Sequence, residues 1–226
     1  GDGIPKNIKE AIKNWKKGIE LNNSDCALAY SEMLLEGKGV PQNKKEGLQI
    51  LKKFADKGDK IASFRYAEHL SNGDGIQKDD NEAFKYFTIS AENNNPDAMV
   101  RLGFMYLNGE VVPPNKEKAI YYLKKSASCG IDGACFLYGY FLLKGDGVPC
   151  DIREGGKYIR KSIDEDYIYA ILHYSYLLYT GEGVEVNKKE SEEYLKRAIK
   201  KDGIKSLSTY SNFLQSGSFV QKDLKA

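Results

Sequence analysis

Histidine is nearly missing from this chain, with two residues in 226, and cysteine stops at four. His69 and His173 lie far apart, and neither stands near a second histidine or a cysteine pair at ligand spacing, which argues against a zinc site. Cys26, Cys129, Cys135 and Cys150 share no common place in the pattern that the glycines mark. A disulfide framework in a repetitive chain would itself repeat, so the four read as reduced thiols in a reducing, cytoplasmic setting. Long apolar runs are lacking too, as is a charged-then-apolar leader with a cleavage site, so neither a membrane span nor a signal peptide is predicted. No single sign of charge dominates. Thirty-four basic and 32 acidic side chains leave a formal charge of +2. The signs alternate within short windows, as in Lys52-Lys53 ahead of Asp56-Lys57 and Asp59-Lys60. A basic stripe for nucleic acid is therefore not predicted.

What the chain has is glycine at a fixed interval. Gly1, Gly37, Gly73, Gly109, Gly145, Gly181 and Gly217 recur every 36 residues without insertion or deletion. Each opens a similar phrase, such as Gly37-Lys38-Gly39-Val40-Pro41 and Gly145-Asp146-Gly147-Val148-Pro149. A period of this size marks an array in which each unit buries its apolar face against its neighbours. The predicted repeats are 1–36, 37–72, 73–108, 109–144, 145–180 and 181–216, with a partial copy at 217–226, forming one solenoid over 1–226. The sequence opens in loop phase and stops three residues past Asp223, without a polar capping helix at either end. That predicts a natural polypeptide continuing in at least one direction.

Asn7, Asn43, Asp79, Asn115, Asp151 and Asn187 follow the phrases, with glutamate three residues on in all but the fourth repeat, where Lys118 stands. The spacing predicts a reciprocal capping box, in which the glutamate reaches back to the cap residue's own N–H. Apolar or small residues then fall four apart, as in Ala83, Phe87 and Ala91, so one stripe of this first helix is buried. A break rich in Gly, Asn and Asp follows, and then a second four-residue spacing, as in Ala62, Tyr66 and Leu70. The second helix ends at the next glycine of the array, where a left-handed residue is favoured. The Gly-x-Gly phrases follow predicted helices and occur in every repeat, which suits a turn better than a phosphate cradle. No nucleophile, carboxylate pair or metal set interrupts the period, so the chain reads as a non-enzyme without a cofactor.

Ala98, Leu102, Gly103, Tyr106, Gly109 and Val112, followed by Asn115, Ala119, Tyr122, Leu123 and Ala127, resemble the Sel-one-like repeat, a relative of the tetratricopeptide repeat. The resemblance covers the whole chain. It implies an all-α, right-handed α-α superhelix of about six two-helix repeats, and a non-catalytic scaffold or adaptor that holds a protein or peptide partner in a concave groove. The alternative it implies is a substrate-selecting or regulatory region of a larger enzyme, such as a kinase or ubiquitin-ligase component. In such stacking the second helix lines the groove, where the positions two residues after the Tyr/Leu anchor are Glu32, Glu68, Phe104, Tyr140, Tyr176 and Asn212. Phe104, Tyr140 and Tyr176 are the expected contacts for a partner peptide or helix, with Phe136, Leu143, Leu172 and Tyr179 secondary.

Overall fold

The computed structural model describes residues 7–216, so Gly1, the partial repeat 217–226 and the side chains of Asn212 and Leu214 lie outside the described residues. The chain divides into two compact units, Gly1–Pro114 and Asn115–Ala226. The first holds α1 (Ile8–Glu20), α2 (Ser24–Glu36), α3 (Lys44–Ala55), α4 (Lys60–Asn72), α5 (Asp80–Glu92) and α6 (Pro96–Asn108). The second holds α7 (Lys116–Ser128), α8 (Asp132–Lys144), α9 (Ile152–Asp164), α10 (Ile168–Thr180) and α11 (Lys188–Ser216). Gly203, at φ 55° and ψ −128°, breaks α11 into two arms. No strand forms among the described residues. Each repeat is an A helix (α1, α3, α5, α7, α9 or the first arm of α11) and a B helix (α2, α4, α6, α8, α10 or the second arm).

Local chemistry sets these boundaries. The side-chain oxygens of Asn7, Asn43, Asp79, Asn115, Asp151 and Asn187 each accept a backbone N–H three residues on, at 2.9 to 3.2 Å. The glutamates do something other than the expected box. Glu10, Glu46 and Glu190 accept from the side-chain amides of Asn7, Asn43 and Asn187. The backbone N–H of the cap is already used: those of Asn43, Asp79, Asp151 and Asn187 donate to Leu34, Leu70, Leu142 and Leu178 of the preceding B helix, at 2.8 to 3.0 Å. The cap thus fastens the loop to the last turn of one helix while starting the next. Between A and B the chain reverses through a left-handed residue, at Asn22, Gly58, Asn94, Gly130 and Asp166. Gly37, Gly73, Gly109, Gly145 and Gly181 close the B helices at φ 64° to 81°, a conformation side chains with a Cβ avoid.

The core lies between A and B helices. Leu51, Leu70, Leu102, Leu123, Ile159 and Leu172 are almost fully enclosed, each contributing about 1.5–3 kcal/mol relative to exposure. The expected stripe on α1, Ala11, Trp15 and Ile19, is only half-buried. Close approach of α8 and α9 depends on paired glycines: a Cβ on either Gly139 or Gly155 would lie 2.8 Å from the other's carbonyl oxygen. At the same register on α10 and α11, Ser175 and Ser191 each donate to the other's carbonyl oxygen at 2.7 Å. Buried hydroxyls add a second tie. Ser90 Oγ donates to the Lys60 carbonyl at 2.6 Å and Ser162 Oγ to that of Asp132 at 2.7 Å, joining an A helix to the start of the preceding B helix. All four cysteines are free thiols; Cys135 is buried and donates to the Ala127 carbonyl.

Candidate functional site

The B helices of the two units use the same register for opposite chemistry. In Gly1–Pro114 the face carries alternating charge: Arg65 pairs with Glu32 at 3.6 Å and with Glu68 at 3.6 Å, and Arg101 with Glu68 at 3.7 Å. Thirty-six residues on, the arginine positions become Leu137 and His173 and the glutamate positions Phe104, Tyr140 and Tyr176. In Asn115–Ala226 an aromatic cluster results. His173, on α10, lies 5.3 Å from the ring of Phe136 and 5.0 Å from that of Tyr140, both on α8 and both edge-on, and 6.2 Å from that of Tyr176. Edge-to-face pairs of this kind add to the gain from burial alone.

Electrostatics follow from the enclosure. Burial, and then the charge of Lys144, push the His173 imidazole down to about 3, so it is neutral near pH 7. Burial also raises the Tyr140 phenol above its ordinary range. The rim holds one ion pair, Lys144 from the last turn of α8 with Glu182 from the loop after α10. Burial works against the Lys144 charge, yet its pKa rises because Glu182 hydrogen-bonds it; Glu182 is lowered in turn, chiefly by that same bond. Tyr176 donates its hydroxyl to Glu182 at 3.2 Å, so the carboxylate roofs that ring. At the outer edge the Tyr179 ring lies 5.4 Å from the Lys188 ammonium.

Burial corrects much of the expected contact list. Phe136 and Leu172 are 0% and 1% exposed, while Tyr176 and Leu143 reach only 6% and 8%. None of these four is a surface contact. A B helix is packed on several sides, so only a narrow strip stays open; Phe136 faces Tyr167 and His173, and Leu143 packs at the start of α9 beside Gly155. Tyr140 is half-buried and Tyr179 is 46% exposed, leaving these two available on this face. Phe104 is half-buried on α6 of the other unit. The centre of the cluster, His173, was weighed from the sequence as a metal ligand and set aside, and its rim, Lys144 and Glu182, was not singled out. The available signal was the switch from Arg65 and Arg101 to His173 at one register position.

Among the described residues no helix is long and apolar enough to cross a membrane. No group of three or more His, Cys, Asp or Glu residues among them is placed to hold a metal ion.

Comparison with known proteins gives the lineage. The model of the Sel1 repeat matches six times, at residues 1–23, 24–59, 60–95, 96–131, 133–167 and 168–203. The chain is similar to the crystal structure of c5321, a protective antigen of uropathogenic Escherichia coli strains displaying an SLR fold, with a TM-score of 0.81 and 22% identity. That match covers 100% of this chain and 48% of the other, so the chain spans about half of that protein's length. It is also similar to a Sel1 repeat protein from Oxalobacter formigenes, with a TM-score of 0.77, 19% identity, and coverage of 94% of this chain and 92% of that one. At these identities the likeness shows the fold, an all-α repeat solenoid. A search of curated proteins returned no match. Sel1 repeats generally mediate protein–protein interactions and are typically a non-enzymatic scaffold.

Proposed function

We propose that this chain, which belongs to the Sel1 repeat family, binds a protein partner on the B-helix face of Asn115–Ala226 and catalyses no reaction of its own. The observation that carries the reading is the exchange of an ion-paired face for an aromatic one at a fixed register: Arg65, Glu68 and Arg101 in one unit, His173, Tyr140 and Tyr176 in the other. Aromatic rings presented by rigid helices are favoured in binding hot spots, because they offer large apolar area at low entropy cost. Tyr140 and Tyr179 supply the accessible area. His173 packs edge-on against Tyr140 and is itself held by Phe136 and Tyr176, and the Lys144–Glu182 pair forms the polar rim. An imidazole held neutral by burial among rings supports the non-catalytic reading, since it is closed off from solvent-borne substrate.

The test is the double substitution Tyr140→Ala with Tyr179→Ala, measured against a purified partner by calorimetry. The expected result is at least a tenfold loss of affinity, from about 2 kcal/mol for a truncated hot-spot aromatic, with little change in thermal stability. Unchanged affinity would sink the assignment.

A further inference from the structure

The aromatic face of Asn115–Ala226 carries hydrogen-bond donors that the chain itself leaves without acceptors. Tyr140 and Lys144 stand one turn apart on α8, so their side chains are neighbours. The Tyr140 hydroxyl makes no hydrogen bond among the described residues. Burial above all raises its pKa, so it keeps its proton near neutral pH. The Lys144 ammonium uses only one of its N–H groups, on Glu182. Both oxygens of Glu182 are already engaged, one by Lys144 and the other by the Tyr176 hydroxyl. Asp146, the other carboxylate that acts on Tyr140, is paired with Lys116 at 2.7 Å. At the outer edge Lys188 lies 5.4 Å from the centre of the Tyr179 ring. It makes no ion pair among the described residues, Glu185 three positions before it included.

The sequence accounts for this surplus. Elsewhere the first residue of an A helix pairs with a loop carboxylate 30 residues on, Lys44 with Asp74 at 2.5 Å and Lys116 with Asp146 at 2.7 Å. Ile152 stands at the start of α9, so Glu182 has no such lysine and takes Lys144 from the B helix instead. At the same interval after Lys188 comes Ser218, which carries no charge.

From these donors we infer that the partner presents an acidic segment to this face. One carboxylate accepts from the Tyr140 hydroxyl and the Lys144 ammonium, a second meets Lys188, and an apolar side chain lies on the open ring of Tyr179. This rests on the reading of the face as a partner site and names what that partner carries. The contacts are open to solvent: Tyr179 is 46% exposed and the Lys144 side chain 33%, Lys188 is exposed, and Tyr140 is half-buried. A carboxylate placed on a cation and a free hydroxyl makes charge-assisted bonds, which are stronger than neutral ones. A basic segment would meet Lys144 and Lys188 as like charges. Nucleic acid gains affinity with each phosphate neutralised, and two cations with Glu182 beside one of them offer it little.

The experiment is an amide NMR titration of the whole chain with four probes. Three are acetylated, amidated peptides of sequence Gly-Glu-Phe-Glu-Gly, Gly-Gln-Phe-Gln-Gly and Gly-Lys-Phe-Lys-Gly, and the fourth is a thymidine oligonucleotide. The expected result is saturable shifts at Tyr140, Lys144, Tyr179 and Lys188 with the glutamate peptide, and binding at least about fivefold weaker with the others. Tyr140→Phe keeps the ring and removes only the donor. Lys188→Glu reverses an exposed charge in the first turn of α11, where an acidic residue favours the helix. Each should weaken the glutamate peptide about fivefold and the glutamine peptide much less. The inference is overturned if any other probe binds this face as tightly as the glutamate peptide, or if either substitution leaves that peptide's affinity unchanged. Should binding be equal for all peptides yet vanish in the Tyr140→Ala, Tyr179→Ala pair, the face remains a partner site and only its acidic occupant is refuted. Silence of all four probes at millimolar concentration also refutes the acidic occupant, while calorimetry with the purified partner decides the wider reading separately.

Discussion

Alanine at Gly155 and alanine at Gly156 add the same methyl group to neighbouring positions of α9, and the packing sets opposite outcomes for them. Within a helix, Gly→Ala is stabilising by roughly 0.5–1 kcal/mol because the backbone loses less entropy on folding. At Gly156 nothing opposes this gain, since the added Cβ would find only the Arg160 guanidinium at 3.6 Å, the far end of a flexible side chain. At Gly155 the Cβ would lie 2.8 Å from the Gly139 carbonyl oxygen and 3.1 Å from both Leu142 Cβ and Leu143 Cδ2. A backbone oxygen in the middle of α8 cannot swing aside, so the two helices must part. Overpacking of this kind costs typically about 1–3 kcal/mol, and an immovable first contact argues for the upper end. Gly155→Ala is therefore expected to be about 1–2 kcal/mol less stable than the parent and Gly156→Ala about 0.5–1 kcal/mol more stable. The separation of about 1.5–3 kcal/mol corresponds to roughly 3–12 °C in Tm for a chain of this size. Thermal and urea unfolding followed by far-ultraviolet circular dichroism measure it. Equal stability of the two variants, or a stabilised Gly155→Ala, would refute the crossing argument.

Three further outcomes are expected. Because burial holds His173 neutral when folded, the native chain binds fewer protons than the unfolded one below the ordinary histidine pKa of about 6.5; stability is intact above that pH and falls as the pH drops toward about 3. The loss from this group at pH 5 is about 2 kcal/mol, and urea titrations at pH 7.5 and pH 5 should show a gap between the two that His173→Gln narrows by about that amount. At the start of α3, Asn43→Ala should cost about 1 kcal/mol by removing the acceptor for the Glu46 N–H. Glu46→Ala should cost clearly less, because that carboxylate accepts from the Asn43 side-chain amide, while the Asn43 N–H goes to Leu34. Ser162→Ala should destabilise by about 1 kcal/mol, since it removes the buried bond to the Asp132 carbonyl.

Local rules made the repeat boundaries readable. Caps at Asn7, Asn43, Asp79, Asn115, Asp151 and Asn187 and left-handed closures at Gly37, Gly73, Gly109, Gly145 and Gly181 each depend on a residue type that few others replace. The partners of those groups were less readable. Glu46 lost its expected bond to the Asn43 N–H because that N–H reaches Leu34, a contact set by how the loop folds back on the preceding helix. Ser162 looks like any small polar residue on a helix until α9 lies across the first turn of α8. The site suffered most. A 36-residue row names equivalent positions but not how many neighbours each meets, so Phe136 and Leu172 fell in the core while Tyr140 stayed half-open. His173 shares its register position with Arg65, Arg101 and Leu137; the rings of Phe136, Tyr140 and Tyr176 around it enclose it where the arginines are exposed and ion-paired.

The claim that the aromatic B-helix face receives a protein partner is met most directly by site-specific photocrosslinking. A photoreactive phenylalanine analogue would replace Tyr140 in one preparation and Tyr121 in another; Tyr121 is 53% exposed on the A helix α7. The account predicts a discrete protein adduct from position 140, lost on adding the Tyr179→Ala change, and none from position 121. Adducts from position 121 alone, or equal yields from both, would contradict it.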